Sequence, residues 1–351
     1  MSEIDFFAPA IVRWQRQAGR HDLPWQNTRD PYRIWLSEIM LQQTQVATVL
    51  PYYQRFLQRF PDLPSVAAAP LEDVLTLWGG LGYYARGRNL HRCAQLIMAQ
   101  HAGKFPATAA QLAQLPGIGR STAAAIAAFA QGERAAILDG NVKRVLCRYF
   151  AITEDVFRAA GERALWELAE RLLPASGVMA EYTQGMMDLG ATLCTRRQPQ
   201  CVACPLHAHC RARQENRQHL LPVPRIRQKR PERQASFLLL SDGQGILLER
   251  RPAQGIWGGL LAFPEAEAAI FLPKLGVEVL EVRPLPNLQH GFTHFVLQIA
   301  PQLCRIAAPP ELVQEGAYCW LPLAAALDAG TPSPVRKLLA ALPEILAQPA
   351  A

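Results

Sequence analysis

The sequence predicts a multidomain protein: an all-α part over residues 1–215, then a smaller α+β domain from residue 234. Three observations carry this. Apolar residues recur at helical spacing from residue 3 to residue 192, broken into short runs by Pro and Gly. Four cysteines between Cys194 and Cys210 follow in a basic loop. Beyond a polar stretch the pattern changes to short strand-like runs bounded by turn residues, as in Ser236-Phe-Leu-Leu-Leu240.

At 351 residues the chain has room for two or three domains, and with half its residues hydrophobic it is globular. No apolar run approaches the roughly 18 to 20 residues that span a bilayer, so no membrane partner is expected. The start, Met1-Ser-Glu-Ile-Asp-Phe-Phe7, is acidic and carries no secretory pattern, which points to the cytoplasm of a cell without organelles, with a bacterial nucleoid as the expected place of work, or to a nucleus. Residues 1–233 hold 29 Lys and Arg against 19 Asp and Glu, a net +10, whereas residues 234–351 hold 7 against 10, a net −3. The basic excess therefore lies in the helical part, as a phosphate-binding surface requires.

In order, residues 3–18 read as a helix and His21–Pro31 as a loop carrying Leu23-Pro-Trp25. The apolar spacing predicts one helix from Tyr32 to about Leu50, then helices at 51–60, 65–69, 71–78 and 86–101. After the central motif, 141–150, 161–173 and 178–192 read as helices. Residues 216–233, with Arg225-Ile-Arg-Gln-Lys-Arg230, read as an interdomain linker. A hairpin around Ser241-Asp-Gly-Gln-Gly245 is followed by strands near 277–283, 292–299 and 317–320, and a helix over Val335–Leu346 closes the chain.

The central motif runs from Leu112 to Phe150: a short helix, the turn Leu115-Pro-Gly-Ile-Gly119, and a second helix. Gly117 and Gly119 lack a Cβ and allow a tight turn whose amides can approach a phosphate. Ser121 and Thr122 supply hydroxyls at the start of the second helix, six alanines between Ala123 and Ala130 favour it, and Gly132 is placed to end it. A helix-hairpin-helix of this kind grips the DNA backbone without reading bases, although an ordinary helical hairpin fits the turn as well. Downstream, Asp139 opens a further helix, where the amide dipoles are expected to hold a carboxylate ionised. A carboxylate beside a DNA grip can stabilise a cationic sugar; a plain helix cap is the other reading. Glu38 shares a helical face with Ile34 and Leu41, and apolar neighbours there would raise its pKa and keep it protonated, as a general acid needs.

Cys194-x6-Cys201-x2-Cys204-x5-Cys210 sits among Arg196, Arg197, Arg211 and Arg213. In a reducing compartment this reads as a metal site, and the spacing leaves zinc and iron-sulfur both open. Cys93, Cys147, Cys304 and Cys319 read as buried free thiols.

Leu-Pro-Gly-Ile-Gly119 followed at this distance by Leu138-Asp-Gly-Asn-Val142 resembles the helix-hairpin-helix and Asp motif of the base-excision DNA glycosylases. The cysteine spacing directly after such a core resembles the four-iron, four-sulfur loop of endonuclease III. With Trp35-Leu-Ser-Glu-Ile-Met-Leu-Gln-Gln-Thr-Gln-Val46 and Leu81-Gly-Tyr-Tyr-Ala-Arg86 added, nearly the whole chain resembles the MutY-type adenine DNA glycosylases, which remove adenine mispaired with 8-oxoguanine.

That resemblance implies one helical subdomain from 1–29 and 136–215, a six-helix subdomain over 30–135 with the active site in the cleft between them, the linker, and a Nudix-like domain over 234–348. It implies one 4Fe-4S cluster on Cys194, Cys201, Cys204 and Cys210, and duplex DNA with an A:8-oxoguanine or A:G mispair as the partner of a monomer. Glu38 would protonate adenine at N7, Asp139 would stabilise or trap the sugar cation, and Asn141 would orient them. Gln43 and Tyr83 match side chains that wedge into the base stack; Gln42, Thr44 and Leu81 line that region, and Arg86 belongs to the same motif. Gly117, Gly119, Ser121 and Lys143 would meet the DNA backbone. Trp25, Leu41 and Gln184 fall at adenine-pocket positions, Gln184 where other members carry a carboxylate. Thr293, in His290-Gly-Phe-Thr-His-Phe295, takes the place of a commoner serine in the loop that inspects 8-oxoguanine. No Nudix-box pattern of Glu residues follows Gly259, so phosphate hydrolysis is not expected there.

Ser121 stands where bifunctional members carry a lysine, the Schiff-base nucleophile of strand cleavage, and this implies a monofunctional enzyme. The two competing readings are an endonuclease III-like glycosylase and lyase for oxidised pyrimidines, and a non-catalytic damage-binding module.

Overall fold

The computed structural model describes residues 3–175, 177–224, 229–252, 254–310 and 317–348. The chain packs as two compact units, the first made of Met1–Tyr53, Leu57–Ala67 and Arg92–Arg227, the second of Gln54–Phe56, Ala68–His91 and Gln228–Ala351. Among the described residues no helix is long and apolar enough to cross a membrane.

Helix α1 (Glu3–Ala18) starts with Glu3 and Asp5 and ends with Arg16, charges that suit its dipole. Asp30 caps α2 (Pro31–Leu41) by accepting from the Tyr32 amide at 3.0 Å, with Pro31 in the first turn where its missing N–H costs nothing. The single helix expected from Tyr32 to Leu50 is broken. α2 stops at Leu41, Gln43 takes a positive φ of 59°, and α3 runs from Val46 to Arg59. No Gly or Pro marks the break. Its cause is tertiary: Gln42 Nε2 donates to Gly117 O and to Thr122 Oγ1, both at 3.3 Å, and pulls the chain towards the hairpin turn. The short α4 (Leu63–Ala68) precedes α5 (Leu71–Trp78) and α6 (Ala85–Gln100).

The central motif forms as expected: α7 (Ala109–Leu112), the turn, and α8 (Arg120–Gln131), ended by Gly132 in the left-handed region. Ala123, Ala124, Ala125, Ala127 and Ala128 are all buried, so the alanines also let α2 and α7 pack closely on α8. Next come α9 (Gly140–Tyr149), α10 (Ala159–Arg171), α11 (Met179–Asp188), a π-helical turn (Leu189–Leu193) and the one-turn α12 (Arg211–Gln214). The core of this unit gathers Phe7 and Ile11 from α1, Leu146 and Tyr149 from α9, and Met186 with Leu189. Each such side chain contributes about 1.5 to 3 kcal/mol of hydrophobic stabilisation.

In the second unit, β1 (Glu232–Ser241) and β2 (Gly245–Arg250) form the expected hairpin, its turn fixed by Asp242 Oδ1 accepting from the Gln244 and Gly245 amides. β3 (Leu261–Ala262), α13 (Ala268–Leu275), β4 (Val279–Pro284), β5 (Leu288–Gly291), β6 (Val296–Ile306), β7 (Tyr318–Pro322), α14 (Leu323–Asp328) and α15 (Ser333–Ala347) follow. The sheet order is β3-β2-β1-β6-β4, with β5 on β6 and β7 on β2; β1 and β6 run parallel from Glu232 opposite Val296 to Ser241 opposite Arg305. α13 carries no acidic residue, in keeping with the absent Nudix box.

Two boundaries differ from the sequence reading. Residues 68–91 pack with the C-terminal domain, where Tyr84 Oη donates to Thr331 O at 2.9 Å and Arg88 Nη1 to Gly258 O at 2.8 Å. The linker is pinned at its start, since Leu221 is buried and its carbonyl accepts from Arg148 Nε at 3.0 Å, while β1 already begins at Glu232. Residues 225–228, which carry the start of the basic run, lie outside the described residues.

Candidate active site

A cavity of about 540 Å³ opens in the first unit, lined in part by Trp25, Ile34, Ser37, Glu38 and Gln184. Of the three residues expected in an adenine pocket, it brings together Trp25 and Gln184 but not Leu41, which is half-buried at the end of α2. Trp25 packs edge-on against Tyr53, with ring centroids 5.1 Å apart.

Glu38 projects from α2 into this cavity. Burial, and secondarily the charge of Asp139, push its carboxyl up to about 8. Nothing offsets these effects.

Asp139 does not line the cavity. It caps α9, Oδ1 accepting from the Val142 amide at 2.8 Å and Oδ2 from Asn141 Nδ2 at 3.5 Å. The cap is as expected; burial raises Asp139 against the downward pull of those amides and of Arg144. In the pair, Asp139 still takes the first negative charge, since it alone has hydrogen-bond donors and a cation beside it.

Behind Asp139, Asn141 Oδ1 accepts from Arg144 Nη2 at 2.9 Å, and Arg144 also donates to Gly190 O at 2.6 Å and Cys194 O at 2.7 Å. Gly190 is required by close approach, for a Cβ there would lie 2.5 Å from Asn141 Cβ. Sequence reasoning missed Arg144 because its partners come from a distant segment.

At the hairpin, Gly117 has the positive φ the turn needs (78°), whereas Gly119 has an ordinary φ of −82° and open space around it. Ser121 does not cap α8: its Oγ accepts from the Leu138 amide at 3.0 Å, tying the hairpin to the residue before Asp139. Lys143 Nζ is paired with Glu162 at 2.6 Å and only 16% exposed, so its amine has a protein partner in place of the expected phosphate. Gln43 is exposed at the α2–α3 break, and Thr44 Oγ1 donates to Gln42 O at 3.4 Å.

In the second unit, Tyr83 projects into solvent with a positive φ of 50°. Leu81 is buried. Arg86 is buried as well, its Nη2 donating to Leu81 O and Gly82 O and its guanidinium 5.5 Å from the Trp78 and Tyr83 ring centroids, so it braces the turn that presents Tyr83. Thr293 is exposed between β5 and β6. Its loop is held by the Phe292 amide donating to Phe295 O at 2.9 Å, by stacking of those two rings at 4.4 Å, and by Arg230 donating to Phe292 O.

Cys194, Cys201, Cys204 and Cys210 are all free of disulfides and half-buried, and they lie close enough to perturb one another electrostatically. Arg148, buried, donates to Cys194 Sγ at 3.3 Å and to the carbonyls of Cys194, Thr195 and Arg196. Among the described residues no group of three or more His, Cys, Asp or Glu side chains is set to hold a single metal ion. Of the other four cysteines, Cys93, Cys147 and Cys304 are buried and Cys319 is half-buried.

The family described as HhH-GPD superfamily base excision DNA repair protein matches residues 36–171, and the NUDIX domain family matches residues 235–341. The adenine DNA glycosylase of Buchnera aphidicola subsp. Acyrthosiphon pisum is 37% identical over 338 residues, 95% of this chain and 96% of that protein. Human adenine DNA glycosylase is 44% identical over 230 residues, 63% of this chain and 42% of that protein. Among solved structures, a thermostable thymine-DNA glycosylase is 29% identical with a TM-score of 0.55, covering 61% of this chain and 97% of that one. An endonuclease III–DNA complex, 22% identical with a TM-score of 0.52 over 62% of this chain and 98% of that one, shares the fold.

Proposed function

We infer that this chain, which belongs to the adenine DNA glycosylase family, hydrolyses the N-glycosidic bond of adenine opposite 8-oxoguanine or guanine in duplex DNA. The observation that carries this reading is Glu38 on the wall of a cavity large enough for a flipped base, its carboxyl held protonated at neutral pH by burial with Asp139 beside it. Glu38 donates its proton to adenine N7, which makes the base a leaving group. The Asp139 carboxylate offsets the positive charge that develops on the sugar, and water completes hydrolysis. Asn141 and Arg144 hold Asp139 in register.

Strand cleavage through a Schiff base needs an amine at the Ser121 position, and Ser121 offers a hydroxyl already engaged with Leu138; Lys143 is committed to Glu162. The enzyme is therefore monofunctional. Release of free adenine from A:8-oxoguanine and A:G duplexes, without strand scission before alkaline treatment, tests this reading. Scission in step with base loss would make it a lyase, and mispair binding without release would make it a damage-binding module.

Thr293 supplies the hydroxyl that distinguishes 8-oxoguanine from guanine, presented by a loop braced on both sides. A neutral hydrogen bond is worth about 0.5 to 1.5 kcal/mol net, several-fold in rate or affinity. Thr293→Ala in the full chain is thus expected to shrink the preference for A:8-oxoguanine over A:G several-fold, measured as the ratio of single-turnover rates. An unchanged ratio would move discrimination to Gln43 and Tyr83. The full chain is the right test because residues 68–91 pack with the C-terminal domain and would lose that packing on truncation.

The four free thiols fit a 4Fe-4S cluster: soft donors, gathered in one loop, with Arg148 donating to one sulfur. When bound, the cluster supplies iron–thiolate bonds that staple the loop, and no step of base release passes through it. Burial raises Cys201, Cys204 and Cys210, so binding a cationic centre there releases protons. Cys201→Ser is expected to lose iron and the associated brown colour and to weaken DNA binding through the Arg196 and Arg197 loop. Stoichiometric zinc without iron in anaerobically purified protein would overturn the iron assignment.

A further inference from the structure

Tyr83 stands in a turn that its own backbone does not favour. Gly80 and Gly82 take positive φ (100° and 71°), and Tyr83 itself takes 50°, a left-handed conformation that strains an aromatic residue. Two glycines leave such a turn many alternatives, so its shape has to be imposed by neighbours. Trp78 and Arg86 brace it from its own segment by donating to Gly82 O. The rest of the grip comes from another part of the second unit, the corner between α14 and α15. Tyr84, buried beside Tyr83, places its hydroxyl between the two segments: Oη accepts from the Gly80 amide at 3.3 Å and donates to Thr331 O at 2.9 Å. Arg336 Nη1 donates to Gly79 O at 3.3 Å, in packing so close that a Cβ on Gly79 would lie 2.5 Å from Arg336 Nη2. Gly330 rests on the last turn of α5, where its own Cβ would meet Thr76 Oγ1 at 3.4 Å. The corner itself is stiff: Pro332 and Pro334 fix φ on either side of the start of α15, and Thr331 is fully buried.

We propose that residues 330–336 form a clamp on the Tyr83 turn, with Tyr84 and Arg336 as positioning residues that hold the Tyr83 ring ready to enter the base stack beside 8-oxoguanine. This rests on the reading of Tyr83 as a wedge and adds what keeps the wedge in shape. A ring that must be ordered during insertion gives up conformational freedom at that moment and binds more weakly, so a turn ordered beforehand favours insertion. The C-terminal domain then acts on the lesion by two routes, through the Thr293 hydroxyl and through Tyr83. Phe in place of Tyr84 would fill the same space but would break both hydrogen bonds.

The test uses the full chain and an A:8-oxoguanine duplex with 2-aminopurine stacked directly against the 8-oxoguanine, whose fluorescence rises when a wedge parts the two bases. At saturating protein, Tyr84→Phe and Arg336→Met are each expected to lose about half or more of the wild-type rise and to slow single-turnover adenine release about 3- to 10-fold, the worth of one neutral hydrogen bond. Tyr83→Ala sets the floor for both readouts. Adding either substitution to Tyr83→Ala should change neither readout by more than about twofold, because the residue they position is gone, whereas general damage to the fold would persist. Should Tyr84→Phe fail to fold, Arg336→Met, which keeps the aliphatic stem, decides. A wild-type fluorescence rise in either folded variant, or an undiminished further loss in the Tyr83→Ala background, overturns the clamp. Wild-type behaviour of Tyr83→Ala alone would instead sink the wedge reading, and the clamp with it.

Discussion

Glu38→Gln is expected to abolish adenine release while leaving mispair binding nearly intact. The amide keeps the shape and burial of the side chain but cannot protonate N7, and general-acid catalysis is worth about 10² to 10⁴-fold, more when the leaving group is poor. Folding should not suffer, because burial already keeps the carboxyl neutral and the native protein holds no buried charge at this position at neutral pH. Linkage gives the same sign. A carboxyl raised from about 4.5 to about 8 binds more protons folded than unfolded, so its contribution to stability is complete below about 4.5 and is lost as pH rises through about 8. Glu38→Gln should therefore match the wild type in stability at low pH and exceed it at alkaline pH. Single-turnover activity within tenfold of wild type would remove Glu38 from the acid role.

Asp139→Asn is expected to cost about 10²-fold or more in the chemical step, since an amide cannot offset positive charge on the sugar. Asn and Asp cap helices about equally well, so α9 should persist and the melting temperature change little. Cap and catalyst are thereby separated in one variant. A second signature follows from the pair: with the Asp139 charge gone, one of the two effects raising Glu38 disappears, and the alkaline limb of the residual activity should move to lower pH. Full activity in Asp139→Asn would leave Asp139 as a cap only.

Much of the site was legible in the sequence because it is local. The helix-hairpin-helix, the Asp139 cap, the Glu38 face and the free thiols follow from spacing and residue type, and the β1–β2 hairpin from its turn residues. What could not be read was set by distant partners. The α2–α3 break has no local signal, since Gln42 to Gln45 are compatible with helix and only the hairpin, some 75 residues on, draws Gln42 away. Ser121 sits at a capping position yet serves Leu138, and Lys143 looks like a phosphate ligand until Glu162 is brought beside it. The fall of residues 68–91 into the second unit likewise depends on Thr331 and Gly258.

Glu38 must carry its proton into the reaction, and the pH dependence of single-turnover adenine release from an A:8-oxoguanine duplex measures that directly. With Glu38 as the acid and its pKa near 8, the rate should hold through neutral pH and fall about tenfold per pH unit once pH passes about 8, with duplex binding followed in parallel to separate affinity from chemistry. A rate that holds or rises from pH about 7 to about 9.5 would contradict it.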